Sequence, residues 1–241
     1  TTVATRLSID ALRRAQVRRA AYVGPWLPDP LLEVPDPSPG PLARAELAES
    51  LSQAFLVVLE RLTPLERAAF LLHDVFGEDY PTVAGIVERS EASCRQLVSR
   101  ARGHLRTDQP RFDADPAAAR ELLQRFLAAS ENGDVAELEL LLARDVVLYG
   151  DGGGVRPSPS QPLHGAGPVA TFLVEITVKR QALAPLNLEL ATVNGQPGRV
   201  LRTQDGQVWD VLTIDVYDGQ VHAVRIIRNP SKTMHLNRVT G

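Results

Sequence analysis

The spacing of apolar residues changes along the 241-residue chain, and each change marks a boundary. In 1–21, Val3, Leu7, Ala11 and Leu12 recur at helical intervals. Across Tyr22 to Gly40, "YVGPWLPDPLLEVPDPSPG", no period survives. Pro25, Pro28, Pro30, Pro35, Pro37 and Pro39 fall within it, and Pro41 follows. Each proline lacks an amide N–H and biases its predecessor to extended geometry, which predicts a semi-stiff connector. A plain connector does not need Trp26 and Leu27. Helical spacing returns over 42–62, with Leu47, Leu51, Ala54, Phe55, Val58 and Leu62 on one face. A second helix opens at "TPLERAAFLLHDVFG": Thr63 caps it, Pro64 takes the first helical position, Glu66 completes a capping box and Gly77 marks the end. A short helix follows over 80–87. After the turn "ERS", with Ser90 as N-cap, another runs over 91–106.

Beyond a hinge, "TDQPRFDADP" at 107–116, the texture changes. Helices are predicted over 116–131 and 134–143, the latter capped by Asp134, then a strand "RDVVLYG". A loop, "DGGGVRPSPSQPLHGAG", leads to a helix near 167–179. Strand-like runs at 186–194, 198–204, 207–217 and 220–228 end the chain, divided by the turn signals "NGQPG", "QDGQ" and "YDGQ". In "VWDVLTIDVY", Val208, Asp210, Leu212, Ile214 and Val216 share one side, and Trp209, Val211, Thr213 and Asp215 the other. Helices followed by a meander of strands argue an α+β domain after an all-α one.

Composition narrows the classes. The length suits about two domains. Aromatics are 5%, so aliphatic packing must dominate the core. A single cysteine, Cys94, excludes an intrachain disulfide and makes a reducing cytoplasm the expectation. No apolar run reaches membrane-spanning length and no signal peptide is seen. Because the chain starts at Thr1 within a helical pattern, a fragment is expected.

Net charge of −3 argues against a wholly basic nucleic-acid binder, yet positive charge is concentrated locally. From Ala92 to Arg106 there are four arginines and no acid, whereas 42–106 as a whole carries nine acids and eight bases. On the 91–106 helix, Cys94, Leu97, Val98, Ala101 and Leu105 form the apolar stripe. Ser93, Arg95, Gln96, Ser99, Arg100 and Arg102 face away from it. A short helix, a tight turn and a basic helix are what a DNA-recognition unit needs: side chains near base edges and arginines on phosphates. A solvated amphipathic helix in an ordinary bundle is the alternative.

These residues resemble an extracytoplasmic-function RNA polymerase sigma factor of the sigma J type with a C-terminal SnoaL-like domain. "YPTVAGIVERSEASCRQLVSRARGHL" resembles the region that recognises the −35 promoter element. The start of the chain resembles the last helix of the −10-recognising domain. The family's Trp-Leu-Pro-Glu-Pro signature stands here as Trp26, Leu27, Pro28, Asp29 and Pro30. Its Asp-Gly-Gly-Gly-Lys motif stands as Asp151, Gly152, Gly153, Gly154 and Val155, without the lysine. Its Asn-Pro-Asp-Lys-Leu tail stands as Asn229, Pro230, Ser231, Lys232 and Thr233. Glu88 occupies a turn position that usually prefers glycine, which implies a slightly different turn.

The resemblance implies a remnant of sigma region 2 over 1–24, a proline-rich linker over 25–41 and a region 4 helix-turn-helix domain over 42–107. A linker over 108–116 and a SnoaL-like regulatory domain over 117–241 complete the chain. The last would be a cone with a curved mixed sheet, of the nuclear transport factor 2 type. It implies RNA polymerase core and −35 promoter DNA as partners. Ser93, Arg95, Gln96, Ser99, Arg100 and Arg102 would touch DNA, and the three motifs would regulate in cis. Most of the −10 domain would lie outside this chain, which alone would not open a promoter.

Related domains include enzymes that use an Asp–His pair or a lone Asp. Asp151, His164, Asp210, Asp215, His222 and Arg225 are the candidates here; outward or structurally satisfied charges are the alternative. The runner-up function is therefore a small-molecule-binding or catalytic SnoaL-like domain fused to a transcription regulator. A helix-turn-helix repressor fits less well, since no dimerisation heptad is visible. Neither a catalytic role nor a cofactor is expected. The histidines lack metal-like spacing, and "DGGGV" lacks the features of a phosphate loop. On the linker, "WLPDP" is expected to dock near "DGGG" or "NPSK", and "EVPDPSPG" to stay loose.

Overall fold

Thr63 starts the first helix as its sequence predicts. Its hydroxyl accepts from the Glu66 N–H at 3.3 Å, and Glu66 accepts from the Thr63 N–H at 3.0 Å, so two amide donors that helix geometry orphans are satisfied. The computed structural model describes residues 3, 5, 7–11, 22–33, 59, 62–107, 115–182 and 185–237. The helix expected over 42–62 lies outside these residues except Leu59 and Leu62, both buried. Chain contacts divide the protein into two units, 1–21 with 54–110, and 22–53 with 111–241.

In the first unit, α1 spans Pro64–Phe70 and continues as a π-helical turn, Leu71–Val75, in which the Phe76 N–H reaches back to the Leu71 carbonyl at 2.9 Å. Helix α2 spans Tyr80–Val87 and α3 spans Glu91–Thr107. Ala68, Ala69, Leu72, Val83, Ile86, Val87, Cys94, Leu97 and Val98 form one core, which Ile9 of the N-terminal helix joins. That helix differs from its predicted face. Val3, Leu7 and Ala11 are exposed, and the buried side carries Ile9.

The turn after α2 also differs from expectation. Glu88 takes the left-handed conformation itself, at φ 56° and ψ 52°, so the turn keeps the geometry glycine would give and a side chain bears the strain. Glu88→Gly is expected to stabilise the helical unit by about 1 kcal/mol. Urea unfolding followed by circular dichroism checks this; unchanged or lower stability would contradict it.

The second unit opens with α4, Pro116–Asn132, capped by Asp115 and ended by Gly133 in the left-handed region. Helix α5, Val135–Leu141, is capped by Asp134. Strand β1, Leu142–Asp151, starts where α5 stops. A two-residue β2, Leu163–His164, helix α6, Ala166–Gln181, and strands β3, Asn187–Val193, β4, Gln196–Arg202, β5, Val208–Tyr217, and β6, Gln220–Ile227, follow. A short helix α7, Pro230–Thr233, closes the described chain with a 3-10 turn after it.

The sheet order is β2-β1-β6-β5-β4-β3, with β1 and β6 parallel and every other pair antiparallel. The sheet is therefore mixed, as expected for the C-terminal unit. One face meets α4, α5 and α6 over a core that includes Leu123, Phe126, Leu138, Leu148, Leu173, Leu212, Ile214, Val224 and Ile226. Burying side chains of this size contributes about 1.5–3 kcal/mol each. Between β4 and β5 the register slips: Leu201 faces Asp210 but Arg202 faces Val208. Trp209 is the extra residue of that bulge, and a bulge re-aims a side chain.

Candidate promoter-reading helix and linker clamp

Helix α3 buries Cys94, Leu97, Val98 and Ala101 on one side, and desolvation pushes the Cys94 thiol up, away from thiolate chemistry. Of the six residues read as DNA-facing, Arg95, Gln96, Ser99, Arg100 and Arg102 are exposed and Ser93 is half-buried; Ser90 caps its amide at 3.3 Å. The arginines are not equivalent. Arg102 donates twice to Asp74, at 2.7 and 2.8 Å. Arg95 pairs with Glu91 at 3.0 Å, and its guanidinium lies 4.9 Å from the Tyr80 ring centroid. Arg100 makes no hydrogen bond or ion pair among the described residues. An unengaged exposed guanidinium can take a phosphate or base edge without first breaking another contact.

The other motifs meet in the second unit. Strand β1 ends at Asp151, whose side chain is fully buried. Its Oδ2 accepts from the Leu27 N–H at 2.9 Å and from Lys232 Nζ at 2.8 Å. Lys232 also donates to the Leu27 carbonyl, so one ion pair holds both backbone groups of one linker residue. The Lys232 ammonium lies 4.0 Å from the Trp26 ring centroid and 5.1 Å from that of Tyr22. Tyr22 donates to Asp151 and accepts from Asn229 Nδ2 at 2.7 Å. Its phenol is pushed well above the ordinary tyrosine range, chiefly by burial and then by the hydrogen bond to Asp151. Asn229 in turn caps α7 through the Ser231 N–H at 3.0 Å, with Pro230 at the first helical position. Thus α7 carries Lys232 into the site, and the sharp β6–α7 turn is held by the Asp151 carbonyl, which accepts from Arg228 and Asn229.

The glycines explain themselves by close approach. A Cβ on Gly152 would lie 2.0 Å from the Arg156 carbonyl oxygen. One on Gly153, whose φ is +61°, would lie 2.3 Å from Asn229 Nδ2. Gly154 packs beside Val23 of the linker, and Val155, where the family has lysine, is exposed.

The rest of the described linker is also docked. Leu27, Pro28 and Pro30 are buried, Trp26 is half-buried and Asp29 is exposed. Asn194 brackets the chain. Its Oδ1 accepts from the Leu31 N–H at 2.8 Å and its Nδ2 donates to the Asp29 carbonyl at 3.1 Å. Leu32 bridges Val193 at the sheet edge, and the Glu33 N–H donates to the Thr192 carbonyl at 3.0 Å. His235 Nε2 lies 2.9 Å from the Pro30 carbonyl. Of "EVPDPSPG", only Glu33 is among the described residues. Tyr22, Asn194 and His235 were not in the sequence-derived site. The "NG" at 194–195 signalled a turn, but nothing local says that its asparagine side chain meets a segment more than 160 positions earlier.

The candidate acids are engaged. Asp210 pairs with Arg199, and Asp215 with Arg225 at 2.5 Å, all four side chains largely buried. His164 is exposed on β2, and His222 lies 3.9 Å from Asp145. Asp210 does face a cavity of about 490 Å3 between α6 and the sheet, as strand parity predicts. Trp209 faces it too, because of the bulge.

Comparison with known proteins sets these features in context. Residues 52–105 match the family model described as Sigma-70, region 4. The chain is 38% identical over 240 residues to the ECF RNA polymerase sigma factor SigJ of Mycobacterium tuberculosis, covering 96% of this chain and 76% of that protein. It is 29% identical over 232 residues to the probable ECF RNA polymerase sigma factor SigI of the same organism, covering 95% and 75%. The structure is similar to the crystal structure of SigJ from Mycobacterium tuberculosis, with a TM-score of 0.73 and 34% identity, covering 97% of this chain and 80% of that one. With likeness to one relative extending through helical unit, linker and mixed-sheet unit alike, the chain belongs to the ECF RNA polymerase sigma factors.

Proposed function

We propose that this sigma factor reads the −35 element with the exposed face of α3, and that its C-terminal unit regulates it in cis by holding the linker. As a member of its family it is a promoter-specificity factor, a transcription factor rather than an enzyme. Its partners are RNA polymerase core and promoter DNA, and its compartment is the cytoplasm. Sequence is read by α3 side chains at base edges, and arginines on phosphates set the register.

One observation carries the regulatory half: the Asp151–Lys232 pair closes on the backbone of Leu27. A linker held at that point has less slack, so the spacing of the DNA-reading parts on either side of it is restricted. The cavity beneath α6 holds a small-molecule ligand in this reading. Pro157, Ser158 and Pro159 line it and belong to the loop whose glycines approach Val23 and Asn229, so an occupant would bear on the linker clamp.

Run-off transcription with core polymerase and the full-length sigma factor, its −10-reading domain included, tests the reading. Promoter-dependent product is expected, altered in amount or promoter choice when Lys232→Met opens the clamp. Absence of any promoter-dependent product would sink the sigma role. Identical transcripts from both forms would remove the regulatory one.

A further inference from the structure

The ligand class of the C-terminal cavity can be read from its walls. We infer that it takes an amphipathic organic anion, a carboxylate or similar group on an aromatic or short aliphatic body. The inference rests on the reading that the cavity holds a ligand at all.

A volume of about 490 Å3 suits a small organic molecule. Leu163, Phe172 and Ile176 supply an apolar wall. Trp209, turned in by the β5 bulge, supplies an aromatic platform. Its indole is already used as a cation surface: the Arg156 guanidinium lies 4.6 Å from the ring centroid and that of Arg228 5.6 Å.

Charge in the cavity is unbalanced. Its lining includes four basic side chains and one carboxylate, Asp210. Asp210 is committed to buried Arg199. At the rim, Arg180 lies 3.5 Å from Glu131 and Lys179 lies 3.6 Å from Glu175. Arg228 has no paired acid among the described residues. One terminal nitrogen donates to the Pro157 carbonyl at 2.8 Å, while its buried Nε has no hydrogen-bond partner among the described residues. Burial lowers its pKa, with Asp210 acting to raise it and Arg156 and Arg199 to lower it, yet an arginine stays charged at neutral pH.

A buried donor with no acceptor is costly, and a guanidinium beside an apolar wall is matched by an anion that carries its own apolar body. A neutral hydrophobe would leave Arg228 uncompensated. A strongly hydrated polyanion would gain nothing from Phe172 and Ile176.

Two probes with nearly the same aromatic body separate these cases. 1-Anilinonaphthalene-8-sulfonate is anionic and N-phenyl-1-naphthylamine is neutral. Titrated into the intact chain, the anion is expected to bind one site at least about tenfold more tightly than the neutral probe. It should also shift the indole N–H resonance of Trp209 but not that of Trp26. Arg228→Gln should remove most of that preference and leave the neutral probe unaffected. If that variant misfolds, the wild-type chain still decides: added salt should weaken the anion and not the neutral probe. Equal binding of both probes, or a preference unchanged by Arg228→Gln, overturns the anion assignment alone. Failure of both to shift Trp209 overturns the ligand reading as well.

Discussion

Asp151→Asn is expected to destabilise the C-terminal unit by about 3–5 kcal/mol, because removing one member of a buried ion pair leaves the other charged and uncompensated. Here the remaining charge is that of Lys232, 6% exposed and enclosed by Tyr22, Trp26 and the Leu27 carbonyl. The same change weakens the grip on the Leu27 N–H and the Tyr22 hydroxyl. Both tryptophans, Trp26 and Trp209, belong to this unit, so tryptophan fluorescence during urea unfolding reports its stability and not that of the helical unit. Limited proteolysis should then cut within 22–33, which the intact clamp protects. Combining Asp151→Asn with Lys232→Met should recover part of the loss, since neither charge of the pair then remains. A midpoint within about 0.5 kcal/mol of the parent, with the linker still resistant, would show that the pair does not hold the segment.

The double variant Arg95→Ala, Arg100→Ala should weaken binding to −35 DNA by about ten- to a hundredfold, with Arg100→Ala alone contributing the larger part. Arg95 must first leave Glu91 and the Tyr80 face, whereas Arg100 is ready. If Arg100 meets only a phosphate, the loss should be uniform across sequences and the salt slope should fall by about one. If it reads a base, discrimination at one position should relax. Arg102→Ala should behave differently, showing mainly as lost helical stability, because its guanidinium is held by Asp74. Fluorescence anisotropy at several salt concentrations checks all three variants. Unchanged affinity in the double variant would remove α3 from the DNA interface.

The two sites were unequally legible. Helix α3 could be read almost completely, since a 3.6-residue period, a cap at Ser90 and the separation of arginines from the Cys94–Val98 stripe are all local properties. Its arginine hierarchy was not legible: Asp74 lies 28 positions before Arg102, and no periodicity links them. The clamp was legible only as three short motifs that resemble a family pattern. Nothing in "WLPDP" says that the ion pair grips its leucine backbone while the Lys232 ammonium sits over the tryptophan ring.

Strand parity placed Asp210 in the cavity and failed for Trp209, because a bulge adds one residue where a strict period of two allows none. The π-helical turn at Leu71–Val75 was likewise invisible, being a single inserted residue in an otherwise helical pattern. The turn at Glu88 was misread because sequence preference weighs against a left-handed non-glycine residue. Packing of Ile86 and Val87 on one side and Cys94 on the other holds the chain in that geometry regardless.

By itself the sequence determined the starts of helices α1 to α6, five of the six described strands (the two-residue β2 reads as loop), the basic face of α3 and the family. These depend on caps, periods and motifs whose free energies are set within a few residues. Only the tertiary structure decided that β1 runs parallel to β6, that Asp151 and Lys232 meet across 81 positions, and that the linker runs between them. Those contacts offset loop-closure entropy through charge pairing and burial of apolar surface, and that balance is settled only when the whole sheet has formed.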